Sequence, residues 1–148
     1  MSVHFEAGYT VAVAGLVAGA VIGLVVGMIS GRASNWDARL TVPLVLAAGS
    51  AHAVLIPVVE QQRQVLFGLY FLAMTGVFVL GVFRIGIWRL GAVLFPAGSI
   101  AGYFYFAAIA HQADWIGLAV KVVEAVVFVA ALGGLLRTRA HQGRPTLA

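Results

Sequence analysis

Three ionisable side chains lie inside long apolar runs of this chain: His52, Lys121 and Glu124. A charge in hydrocarbon loses its hydration, so such residues face a protein interior or a polar cavity and mark candidate functional sites. Lys121 and Glu124 are three apart, which puts them on one helix face as a neutralising pair. An imidazole titrates near neutral pH and can carry a proton. Tyr103 adds a hydroxyl in a neighbouring run. At 1.5 Å of rise per residue, Glu124 lies about 13 Å inside Trp115, and His52 lies about 12 Å inside Glu60. Tyr103 lies at a similar depth from His111, with Tyr105 and Tyr70 somewhat shallower. His52, Tyr103, Lys121 and Glu124 are therefore expected to share one layer and form a polar site that takes up a proton or a cation. The structural alternative is simpler. Lys121 could snorkel to the headgroups, Glu124 could serve only as its partner, and His52 could bond a backbone carbonyl or a tyrosine.

Other chemistry finds little support. The sequence has no cysteine, so disulfides, thiolate metal sites and cysteine nucleophiles are excluded. A single intramembrane histidine cannot ligate a haem from both sides. His4, His111, Asp114 and Glu60 match no metal-ligand spacing. No phosphate-binding glycine loop, HExxH motif or Ser–His–Asp spacing is present. Neither catalysis nor a metal or other cofactor is expected.

The elements that position these residues are five apolar segments. The chain is 62% hydrophobic and 9% charged, against about a quarter charged in soluble domains. The expected spans are Tyr9–Ile29, Leu40–Val59, Val65–Phe83, Trp88–Ala110 and Trp115–Leu136. Each has roughly 20 residues, enough to cross a hydrocarbon core of about 30 Å. The short links between them force consecutive helices to run antiparallel. Seven of the nine basic residues (Arg32, Arg39, Arg84, Arg89, Arg137, Arg139 and Arg144) fall after the first, third and fifth segments. Basic loops stay cytoplasmic, so the N-terminus is expected outside and the C-terminus inside. Trp36, Trp88 and Trp115 fall at segment ends, where amphipathic rings favour the interface. The expected fold is an all-α integral membrane protein, a compact five-helix bundle over residues 1–136 with a basic cytoplasmic tail over 137–148. Its Ala-, Val- and Gly-rich composition suits a bacterial inner membrane. The scattered arginines form no stripe for nucleic acid; their expected partner is the bilayer, through its anionic headgroups.

Packing signals are strongest in the first segment. Gly15, Gly19, Gly23, Gly27 and Gly31 recur at every fourth position and build one smooth face. In lipid, close backbone approach along such a face drives helix association. The partner could be a neighbouring helix or a second copy of the chain. Gly98 and Gly102 form a shorter example, and the small residues 47–51 precede His52. Pro43 is expected in the first turn of the second helix, Pro57 near its outer end, and Pro96 inside the fourth helix, where a kink beside Gly98 and Ser99 could open a polar space. Two functions are compatible with these features. One is an accessory, assembly or scaffold subunit that packs through its Gly-rich faces in a homo-oligomer or a larger membrane complex. The other is a small oligomeric proton- or cation-coupled transporter or channel that uses the His/Tyr/Lys/Glu layer.

Overall fold

The computed structural model describes the backbone of residues 2–29, 36–110 and 115–142, and within them the side chains of 9–29, 38–61, 63–109 and 115–138. Five α-helices account for nearly all of it: α1 (Ser2–Ile29), α2 (Trp36–Leu55), α3 (Gln61–Val82), α4 (Trp88–Ala110) and α5 (Trp115–Gln142). All five contain a segment long and apolar enough to cross a bilayer: Tyr9–Ile29, Ala38–Val58, Arg63–Val82, Trp88–Ile109 and Trp115–Thr138. Helix is the open-ended way to satisfy every backbone polar group in hydrocarbon, so these runs fold as helices despite many glycines and β-branched residues. The helices outlast the apolar runs: α1 starts at Ser2, α2 at Trp36, and α5 continues to Gln142. Hydropathy marks the part apolar enough to cross a bilayer, not the point where i to i−4 bonding stops.

The earlier start of α2 corrects the expected place of Pro43. It lies inside the helix rather than in its first turn. Its ring therefore removes a hydrogen bond that the Arg39 carbonyl would otherwise accept. The second helix was expected to run on to Val59, but α2 ends before Pro57. Pro57 has no N–H to donate to the Ala53 carbonyl, so the α ladder of α2 stops at Leu55 and the chain passes through a 3-10 turn, Ile56–Val58. The chain then extends at Val59, and the Glu60 carbonyl accepts from the Arg63 and Gln64 amides to start α3. Gln64 Nε2 donates back to the Val59 carbonyl at 3.1 Å and pins the turn.

The link from α3 to α4 is equally defined. Arg84 has φ 57°. Its amide donates to the Gly81 carbonyl, and the Ile85 amide donates to Leu80 at 2.9 Å. This is the Schellman arrangement, with arginine at the left-handed position usually held by glycine.

α2, α3, α4 and α5 close into a ring in which each packs on the next and α5 returns to α2. α1 lies outside this ring, mainly against α2. Consecutive helices alternate in direction. Val77 meets Gly91 while Trp88 meets Gly81, and Ser99 meets Glu124 while Arg89 Nη1 donates to Thr138 Oγ1. The core gathers Val42, Val45, Leu46, Met74, Val77, Phe78, Trp88, Ala92, Val127 and Ala131. α1 by contrast leaves Met28 and Ile29 80% and 82% exposed. Extended apolar exposure of this kind suits contact with lipid rather than water.

Glycines set how closely the helices approach. A Cβ on Gly15, Gly19 or Gly23 would fall within 3.0 Å of atoms of α2: Val54 and Ser50, Ala47 and Leu46, and Pro43 respectively. The glycine face of α1 is thus used inside the chain. A Cβ on Gly27, Gly98 or Gly102 would meet no described atom within 4 Å. Gly31 lies outside the described residues. Gly49, Gly81 and Gly91 make close approaches too, to Met74, Val42 and Val77.

Candidate functional site

The interior of the ring holds one polar cluster, to which all four helices contribute. α5 supplies Lys121 and Glu124, α2 supplies His52, α4 supplies Ser99, and α3 supplies Tyr70. Glu124 is the hub and has no exposed surface; Lys121 and His52 are 8% and 5% exposed. The spacing of three residues on α5 lets Lys121 Nζ donate to Glu124 Oε2 at 2.7 Å. The same ammonium donates to Ser99 Oγ at 2.5 Å, and the Ser99 hydroxyl donates to Glu124 Oε1 at 3.1 Å. Lysine, serine and carboxylate thus close a small hydrogen-bonded circuit across the α4–α5 interface.

His52 approaches the other side of the carboxylate. Its Nδ1 is 2.9 Å from the Ala48 carbonyl oxygen. A carbonyl only accepts, so the hydrogen sits on Nδ1. In the neutral ring Nε2 then carries the lone pair, and it lies 3.6 Å from Glu124 Oε1. That is longer than a hydrogen bond. A proton added to Nε2 would point at the carboxylate, so the geometry has a defined place for it. α3 walls the imidazole with aromatic rings: Phe67 edge-on at 4.9 Å and Tyr70 tilted at 4.3 Å between centroids. The buried Tyr70 hydroxyl lies near Glu124 and Ser99 without a hydrogen-bond partner.

With Lys121 charged, Glu124 ionised and His52 neutral, the cluster carries no net charge. This is the arrangement that buried ions tolerate, because each charge is paired and hydrogen-bonded. The chemistry the cluster supports is movement of one proton among a carboxylate, an amine and an imidazole.

The four residues singled out from the sequence fall in one region. Tyr103 joins by its ring, whose centroid is 5.9 Å from Lys121 Nζ. Tyr70 and Ser99 were not among them; Ser99 bonds Glu124 directly and Tyr70 stands against the His52 ring. Their one sequence signal is a hydroxyl at a similar depth, and for Ser99 the neighbouring Pro96. Lys121 does not snorkel; its ammonium turns inward to Ser99 and Glu124. The side chains of His4, His111 and Asp114 lie outside the described residues. Among the described residues no three metal-ligating side chains group together. No known family, curated protein or solved structure matches this chain.

Proposed function

We propose that this chain is a small integral membrane protein whose four-helix interior holds an exchangeable proton, used in a proton-coupled transport step. The observation that carries this reading is Glu124, fully buried and met by polar side chains from other helices. Apolar residues of similar volume would pack a bundle at least as well as a buried ion pair. A carboxylate, an amine and an imidazole gathered within one ring suit proton exchange better than packing. Because Lys121 already neutralises Glu124, the exchanged species is a proton rather than a metal cation.

The distribution of arginines supports an orientation with the N-terminus outside and the C-terminus in the cytoplasm, in the cell membrane of a bacterium. The polar cluster then lies in the outer half of the bilayer. A second reading, an accessory or scaffold subunit, is favoured by one observation. Gly98 and Gly102 on α4 leave open space where a Cβ would stand, so a helix of a second copy or of a larger membrane complex could approach there.

The test is proton flux into proteoliposomes under an imposed pH gradient, read by an internal dye. Wild-type protein should carry a flux that Glu124→Gln abolishes while remaining folded, because an amide cannot titrate. Equal flux in wild type, folded Glu124→Gln and empty liposomes would favour the scaffold reading.

A further inference from the structure

The halves of the ring on either side of the polar cluster are packed very differently. Toward the α3–α4 link, each helix places a side chain with no exposed surface in the core: Val45 on α2, Met74 on α3, Ala92 on α4 and Val127 on α5. All four belong to one apolar core cluster, in which Trp88 is also buried. Toward the Pro57 turn the packing loosens. No described side chain is buried between Gln61 and Leu69 on α3 or between Ile100 and Ile109 on α4. The close approaches of α3 to α4, Val77 to Gly91 and Gly81 to Trp88, both belong to the sealed half. Side chains on a helix lean toward its N-terminus. Lys121 stands about one helical turn nearer to Trp115 and the loose end than Glu124 does, although its ammonium turns inward.

We infer that the polar cluster is reached from one side of the membrane only, through the loosely packed end between α3 and α4, and that Val45, Met74, Ala92 and Val127 seal it from the other side. This rests on the proton-binding reading and adds to it a direction and a gate. Water or hydronium entering from the Pro57 end meets Lys121 first, beside the Tyr103 ring, and then the carboxylate. The titratable groups facing Glu124 are His52 from α2, Tyr70 from α3 and Lys121 from its own helix; Tyr103 from α4 stands over Lys121. A full transport cycle then requires the apolar layer to part, since none of its four side chains can hold a proton.

The chain contains no cysteine, so single cysteines can be placed at will. Gly68→Cys and Ala107→Cys report on the loose end, and Ala92→Cys and Ala131→Cys on the sealed half. Each is reconstituted in one orientation and exposed to a small cationic methanethiosulfonate on one face at a time. Gly68→Cys and Ala107→Cys should label from the face carrying the Pro57 turn and not from the other. Ala92→Cys and Ala131→Cys should label at least about tenfold more slowly from either face, because reagent reaches them only after local opening. Comparable labelling at Ala92→Cys and Gly68→Cys would overturn the one-sided gate, as would protection of both loose-end cysteines. Labelling requires no transport, so these outcomes are independent of whether Glu124→Gln stops proton flux.

Discussion

Gly19 and Gly27 offer a paired test of how α1 is held. Both lie on the same face of one helix, eight residues apart in the sequence. A Cβ on Gly19 would stand 2.7 Å from the Ala47 Cα and 2.8 Å from the Leu46 carbonyl oxygen. Those are backbone atoms of α2 and cannot swing aside. α1 would have to retreat by about 0.8 Å to restore the ~3.5 Å of a favourable carbon–carbon contact. A gap of that size forfeits roughly a quarter to a half of the dispersion well for the atoms that face each other. Gly19→Ala should therefore destabilise by about 1–3 kcal/mol, the usual range for overpacking. Gly27→Ala meets no described atom within 4 Å and gains helix propensity, so it should be neutral or stabilising by up to roughly 1 kcal/mol. The assay is reversible unfolding in mixed micelles, with Val17→Ile and Leu24→Val as controls on exposed positions. Equal losses at Gly19 and Gly27 would refute the claim that the α1–α2 contact sets the stability of α1, and so would no loss at either.

Three further outcomes are expected. Arg84 holds a left-handed conformation, so Arg84→Gly should stabilise the α3–α4 link by about 1 kcal/mol in the same unfolding assay; a loss would show that the arginine side chain anchors the turn. Lys121→Met and Glu124→Gln should each destabilise by about 3–5 kcal/mol, while the double variant loses less than either, because a lone buried charge keeps its desolvation cost; additive losses would contradict the pairing. With no native cysteine to interfere, an impermeant thiol reagent on intact cells or spheroplasts should label cysteines at Gln62 or Gln112 and spare those at Ser34 or Thr138, and the reverse pattern would overturn the proposed orientation.

The five spans were legible because lipid imposes a simple rule: an apolar run of sufficient length becomes a helix. His52, Lys121 and Glu124 stood out for the same reason, as the three ionisable residues among apolar neighbours. Their meeting was less legible. Depth along each helix follows from counting residues, but rotation about each axis depends on how four helices pack. That rotation brings Tyr70 and Ser99 to Glu124 and gives Tyr103 a place over Lys121. The depth count put Tyr70 near the layer and the Pro96 kink pointed to Ser99, but neither reading joined these hydroxyls to Glu124. The glycines divide similarly. A repeat of four identifies a smooth face in α1, yet the close approaches at Gly15, Gly19 and Gly23 and the open space at Gly27 follow from where α2 lies. Gly81 and Gly91 have no repeat to reveal them, although they set the approach of α3 to its neighbours. Pro43 was misplaced because the apolar run begins after the helix does.

The central claim is that Glu124 carries an exchangeable proton, and its carboxyl band in a pH-difference infrared spectrum reports this most directly. The protonated carboxyl C=O stretch lies apart from the amide and carboxylate bands, and among the described residues Glu124 is the one acid with no exposed surface. The account predicts a C=O band that changes with pH in the reconstituted wild type, shifts when His52→Gln alters its surroundings, and is absent from folded Glu124→Gln. A spectrum with no pH-dependent carboxyl change that Glu124→Gln removes, across the range where the protein stays folded, would contradict it and leave Lys121 and Glu124 as a fixed structural pair.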